Sequence, residues 1–189
     1  MAAAYKYSKT WFLTSELKEK LERFLDPAEE QRILEIGCFE GLSSVFFADT
    51  FLEHPNSRLT CVDPFLTIPA NDHSEFLQGD EERNFDYNLS VCKHSEKITV
   101  HKITSDAFFE ANQGTYTFIY IDGCHLPEYI TRDMEHAFQC LEHGGIMWMD
   151  DYGGGDGIQI RCTMDAFLEK YKDQYDLLHR GYQLAIGKR

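Results

Sequence analysis

Residues 32–48 read RILEIGCFEGLSSVFFA. Ile33, Leu34 and Ile36 make a short apolar strand, Gly37 and Gly41 break it, and a helix resumes from Ser43 to about Phe51. A buried strand that passes through glycines into a helix is where α/β proteins dock a nucleotide-like cofactor. Glycine lets backbone approach a ligand without a Cβ clash. The spacing Glu35-x-Gly37-x-x-x-Gly41 differs from the dinucleotide pattern G-x-G-x-x-G, and the Glu35 carboxylate opposes a pyrophosphate. A cationic or amino-acid-like ligand suits it better.

Upstream, residues 1–31 form an N-terminal helical segment. Ser15 is a candidate cap, and Leu17, Leu21, Phe24 and Leu25 make one apolar stripe that Asp26-Pro27 ends. Downstream, strands are expected at residues 58–62, 98–103, 116–121 and 146–149, with helices at 43–51, 85–94, 127–141 and 160–171 and a short helix starting at Ser105-Asp106. Gly144-Gly145 reads as the turn into the 146–149 strand, and residues 175–179 and 182–187 as a closing antiparallel hairpin. Alternating strands and helices predict an α/β layered sheet. No repeat or linker divides the chain, so one domain over residues 1–189 is expected. The polar stretch 67–82, TIPANDHSEFLQGDEE, is long for a connection. Together with residues 152–157 and the N-terminal segment, it is the expected acceptor pocket, with Phe76 and Tyr152 inside it.

The formal charge is -14, from 18 basic and 32 acidic residues. A polyanion is repelled by such a chain, so nucleic acid is a poor partner. Six scattered cysteines with no Cys-x-x-Cys pair argue against a zinc cluster or a disulfide framework. No apolar run is long enough to span a bilayer and no signal peptide is evident, so a cytoplasmic protein without a membrane partner is expected. The oligomeric state stays open.

Acidic residues end most of the strands. Asp63 stands where a carboxylate accepts the hydroxyls of a ribose, and Ser105-Asp106 where an adenine edge is read. Asp122, Asp150 and Asp151 follow two neighbouring strands and open on the same sheet edge as Gly37. Taken singly, Asp122 caps a helix and Asp150-Asp151 face solvent. Together, three converging carboxylates call for a hard cation: magnesium, with manganese or calcium as alternatives. His125 is the candidate base, or a cap on the helix that begins near Pro127.

LEIGCFEGLSS, VDP, TSDAF and FIYIDGCH, in that order, resemble the class I S-adenosylmethionine-dependent methyltransferases over most of residues 32–152. The resemblance implies a Rossmann-like seven-stranded, mostly parallel sheet with helices on both faces and an antiparallel C-terminal hairpin. It places Glu35, Gly37, Phe39, Gly41 and Ser43 around the methionine part of S-adenosylmethionine, Asp63 at the ribose, and Ser105 and Asp106 at the adenine. Asp122 borders both cofactor and metal. FIYIDGCHLPEY with WMDDYGGG is similar to the metal-dependent O-methyltransferases, in particular the macrocin-type sugar enzymes. By that likeness Asp122, Asp150 and Asp151 are metal ligands. His125 takes the position of the catalytic lysine of catechol-type enzymes, and Cys124 that of the aspartate base of many sugar-type enzymes. The implied activity is O-methylation of a sugar hydroxyl on a glycan or glycoside. A catechol-like small molecule is the alternative acceptor. A nicotinamide-dependent oxidoreductase and a non-catalytic binding module are the readings from other classes.

Overall fold

A computed structural model of the chain describes residues 4–66, 79–112, 114–154 and 158–189. The opening stretch becomes β1 (Arg32–Ile36) and α2 (Leu42–Phe51), and β1 lies in the middle of a seven-stranded sheet. The other strands are β2 (Arg58–Val62), β3 (Ile98–His101), β4 (Tyr116–Ile121), β5 (Leu141–Met149), β6 (Tyr175–Arg180) and β7 (Leu184–Lys188). Their order is β3-β2-β1-β4-β5-β7-β6. The five strands β1–β5 pair in parallel, and β7 runs antiparallel to both β5 and β6. This is the architecture expected from the sequence. The strand order reverses between β1 and β4, and an open parallel sheet binds ligands in the crevice at such a point.

Helices α1 (Glu16–Lys20), α3 (Glu81–Val91), α4 (Ser105–Ala111), α5 (Pro127–Cys140) and α6 (Ile158–Lys170) complete the layers. Alternation along β4 divides the core, since successive side chains point to opposite faces. Phe118 and Tyr120 pack with Phe47, Phe85 and Leu17, beneath α1, α2 and α3. Ile119 and Ile121 pack with Met134, Phe138 and Phe167, beneath α4, α5 and α6.

Four expected elements differ. The N-terminal helix is split into α1 and a 3-10 turn, Leu21–Arg23. A five-residue helix has little stability of its own. Docking holds it: Leu17 and Leu21 are fully buried, and the Glu16 carboxylate accepts the Gln183 N–H at 2.9 Å. β5 begins at Leu141, because Leu141 pairs with Tyr116 before the register shifts and Ile146 pairs with Phe118. The expected Gly144-Gly145 turn is therefore a bulge inside the strand. α3 begins at Glu81 and β3 stops at His101.

Gly37 is decisive for the centre of the sheet. Its φ is +84°, and a Cβ there would lie 2.0 Å from the backbone oxygen of Asp122. The sequence suggested room for a ligand, yet in the fold the next strand end occupies it. Gly37→Ala is therefore expected to lower unfolding free energy by more than about 3 kcal/mol, read by urea denaturation. An unchanged midpoint would contradict this packing.

Candidate active site

The strand ends are tied in a row. Gly37 N–H donates to Val62 O at 3.0 Å, Asp122 N–H to Ile36 O at 2.8 Å, and Asp150 N–H to Ile121 O at 3.0 Å. Each residue that leaves a strand is thus fixed to the end of its neighbour. Asp122 and Asp150 are set side by side by backbone bonds, whatever their side chains do.

Beneath them lies Tyr120, fully buried. Its hydroxyl donates to Asp150 Oδ2 at 2.7 Å and lies 3.1 Å from Asp122 Oδ2. One phenolic proton serves one of these at a time. Asp151 N–H donates to Asp150 Oδ1 at 2.8 Å. The Asp151 carboxylate accepts the Tyr182 hydroxyl at 2.6 Å and meets His125 Nε2 at 2.9 Å. Ligating atoms of Asp122, His125 and Asp151 all lie within 4.8 Å of one another. Asp150 sits beside this set, with both its oxygens engaged by Tyr120 and Asp151. Asp151 has φ +59°, a strained conformation for a non-glycine residue and one typical of functional sites.

Asp122 opens onto solvent as a residue, but its carboxyl is crowded by protein. That desolvation, then the charges of Asp150 and Asp151, push it well above the ordinary carboxylate range. Burial and then Asp151 also raise Asp150, against the Tyr120 hydrogen bond. Gln183 stands behind them. Its side-chain oxygen accepts Leu17 N–H at 2.6 Å and Trp148 Nε1–H at 3.0 Å. Its Nε2 is buried with no partner at hydrogen-bonding distance. Crowded carboxylates of this kind are the setting in which a bound cation is favourable.

The cofactor-side residues divide into two groups. Asp63 lies at the crevice and accepts Cys38 N–H at 2.7 Å, Phe39 N–H at 3.0 Å and Phe65 N–H at 2.7 Å. It clamps the turn after β1 to the end of β2. Phe39 and Phe65 both have positive φ, 48° and 49°, so backbone strain gathers along this edge. Glu35 is turned inward instead. It is fully buried and accepts the hydroxyls of Ser43 and Ser44 under α2. Glu35 and Ser43 thus pair within the core and do not face the crevice. A Cβ on Gly41 would lie 3.0 Å from Phe85 and Leu89, so that glycine admits α3. Asp106 pairs with Arg132 at 3.1 Å on the partly exposed surface of α4 and α5.

Tyr152, expected in the acceptor pocket, is buried. Its hydroxyl donates to Asp165 at 2.9 Å and accepts Arg180 Nε–H at 2.7 Å. Phe76 and most of the 67–82 loop, and residues 155–157, lie outside the described residues. The N-terminal segment does reach the site. Trp11 stacks on Phe39 with ring centroids 5.8 Å apart, and Ser8 N–H donates to Glu40 at 2.5 Å. A narrow cleft of about 20 Å³ is lined by Asp122, Gly123, His125, Ile130, Asp133 and Met164, among others. Sequence reading passed over Tyr120, Asp133, Tyr182 and Gln183. Tyr120 showed only as an apolar strand position, and the other three carried no local signal.

A family model described as a methyltransferase domain matches residues 34–152. The tRNA N(3)-methylcytidine methyltransferase of Schizosaccharomyces pombe is 26% identical over 163 residues. That match covers 86% of this chain and 50% of the relative, so the chain spans about half the length of the curated relative it matches. The O-methyltransferase TomG of Streptomyces achromogenes, solved with S-adenosylmethionine, superposes with a TM-score of 0.65 at 16% identity, over 92% of this chain and 78% of that one. An rRNA methylase from Streptococcus thermophilus superposes with a TM-score of 0.63 at 11% identity, over 90% and 93% of the two chains. Among the described residues no helix is long and apolar enough to cross a membrane.

Buried acids set the response of the fold to pH. Burial raises Glu35 from 4.5 to about 7, against its serine hydrogen bonds, and raises Asp133 from 3.8 to about 6. A raised folded pKa means the folded chain holds the proton more tightly than the unfolded chain. This stabilisation is complete below the unfolded values and is lost as pH rises through the folded ones. Melting temperature in EDTA is expected to be higher at about pH 5 than at about pH 8. Glu35→Gln should shrink the difference. A melting temperature that falls on acidification across this window would contradict the assignment.

Proposed function

The chain belongs to the methyltransferase-domain family and has the class I, S-adenosylmethionine-dependent fold; from that premise we propose that it is a divalent-metal-dependent O-methyltransferase acting on a sugar hydroxyl. The observation that carries the reading is the convergence of Asp122, Asp150 and Asp151 at adjoining strand ends, with His125 against Asp151.

The donor set fits the metal. It is all hard oxygen, its charges are mutually repulsive, and burial already makes the anionic state costly. Asp122, Asp150 and Asp151 would hold magnesium, or manganese or calcium in its place. When bound, the ion supplies Lewis acidity that makes a neighbouring substrate hydroxyl easier to deprotonate. S-adenosylmethionine supplies the methyl group.

The chain's own residues do the rest. His125 donates Nε2–H to the Asp151 carboxylate 2.9 Å away, which orients the ring and leaves Nδ1 to take the hydroxyl proton. Tyr120 and the Asp151 N–H fix the Asp150 carboxylate, so the site is preorganised. Asp63 uses three of its roughly four lone-pair positions on backbone N–H groups, which leaves an acceptor for a ribose hydroxyl.

A hydroxylated, uncharged acceptor is compatible with the acidic cleft. The S. pombe relative raises an RNA acceptor, but a formal charge of -14 opposes a polyanion. Asp-Asp-Tyr-Gly at residues 150–153 favours a sugar diol over a catechol, through the resemblance to sugar O-methyltransferases.

A methyl-transfer screen of sugars and catechols with added magnesium tests the reading. EDTA and Asp150→Ala are each expected to abolish transfer while S-adenosylmethionine still binds. Full activity in EDTA would reject the metal. His125→Ala should lower turnover by about 100-fold or more and flatten the acid limb of the pH–rate profile. An unchanged profile would make His125 a structural residue.

A further inference from the structure

Tyr182 belongs to none of the strand ends, yet it touches one of their acids. It lies in the turn between β6 and β7, and its hydroxyl donates to Asp151 Oδ1 at 2.6 Å. The turn is pinned from two sides. In front, Gly153 N–H donates to Tyr182 O at 2.8 Å. A Cβ at residue 153 would lie 2.8 Å from Tyr182 Cα, so glycine is what lets the loop after β5 come so near. Behind, Glu16 accepts the adjacent Gln183 N–H at 2.9 Å. Main-chain contacts of the turn thus hold the phenol on Asp151.

The two oxygens of Asp151 have different partners. Oδ1 lies with the Tyr182 hydroxyl against Gly154, where a Cβ would stand 3.7 Å from both atoms. Oδ2 meets His125 Nε2 at 2.9 Å, and both residues line the cleft with Asp122. The backbone beneath is fixed by the positive φ of Asp151 and by Gly154 N–H, which donates to its carbonyl at 3.2 Å. The carboxylate therefore cannot turn both oxygens to one point without breaking the Tyr182 bond. Asp150 is held in the same manner, Oδ2 by Tyr120 and Oδ1 by Asp151 N–H.

We propose that Tyr182 is a positioning residue that makes Asp151 a one-oxygen ligand through Oδ2, and so tunes the cation site to a small octahedral ion, magnesium or manganese, against calcium. This rests on the cation-site reading given above. A carboxylate oxygen has two acceptor positions, so Oδ2 can keep His125 and still meet an ion. Calcium is larger, takes more oxygens and readily uses both oxygens of one carboxylate. Magnesium and manganese favour octahedral sites built from single oxygens and water. A phenol that only braced the hairpin would leave the balance between the ions unchanged.

Calorimetric titration of manganese and of calcium into the full chain separates these cases. The wild-type chain should bind manganese about tenfold or more tightly than calcium. Tyr182→Phe keeps the ring, releases Oδ1 and should narrow that ratio by about fivefold or more, with a melt in EDTA that stays cooperative. A merely structural loss weakens both ions alike, so a folded Tyr182→Phe chain that keeps the wild-type ratio overturns the inference. Equal binding of the two ions by the wild-type chain overturns it as well, and does so even if the variant fails to fold. Binding of neither ion by the wild-type chain overturns the cation-site reading along with it.

Discussion

The contact between Gly37 and the carbonyl of Asp122 sets the centre of this molecule. The oxygen lies where a Cβ at residue 37 would stand, 2.0 Å away, so β1 and β4 can end at the same level only with glycine there. From that point the backbone bonds Asp122 to Ile36 and Asp150 to Ile121 bring successive strand ends into one line. The acids of the site are thus positioned by main-chain pairing. Side-chain contacts refine an arrangement that the sheet has already made.

The buried acids fall into two groups according to what neutralises them. Asp63 accepts three backbone N–H bonds and Glu35 two serine hydroxyls, so the protein itself satisfies them. Glu16 is partly buried, which raises its pKa, yet Gln183 N–H and His179 hold it down at about 2. It anchors α1 to the C-terminal hairpin. Gln183 then connects that anchor to Trp148 of β5. In contrast, Asp122 and Asp150 share the single proton of the Tyr120 hydroxyl, while Asp151 is engaged by Tyr182 and His125. Burial and mutual charge raise the pKa of Asp122 and Asp150, a setting in which a ligand of positive charge is favourable.

Much of this was legible in the sequence because four of the five parallel strands are followed by glycine or aspartate: Gly37, Asp63, Asp122 and Asp150. Asp63, Asp122, Asp150 and Asp151 could be placed on one edge from position alone. What could not be read depends on partners distant in the chain. Glu35 looked like a ligand contact, but Ser43 and Ser44 on the following helix turn it inward. Gly144 looked like a turn, but Leu141 has a pairing partner in Tyr116 and extends β5 through a bulge. Tyr182 reaches Asp151 from the last hairpin, and Asp133 lines the cleft from the first half of α5. Tertiary context chose these roles, and local pattern carried no trace of them.

The central claim is that the three strand-end aspartates form a cation site working beside a bound methyl donor. Calorimetric titration of manganese into the protein saturated with S-adenosylhomocysteine tests it without requiring the acceptor. The account predicts one ion per chain, with affinity lowered by about tenfold or more in Asp122→Asn. An absence of binding, or equal affinity in the variant, would contradict it.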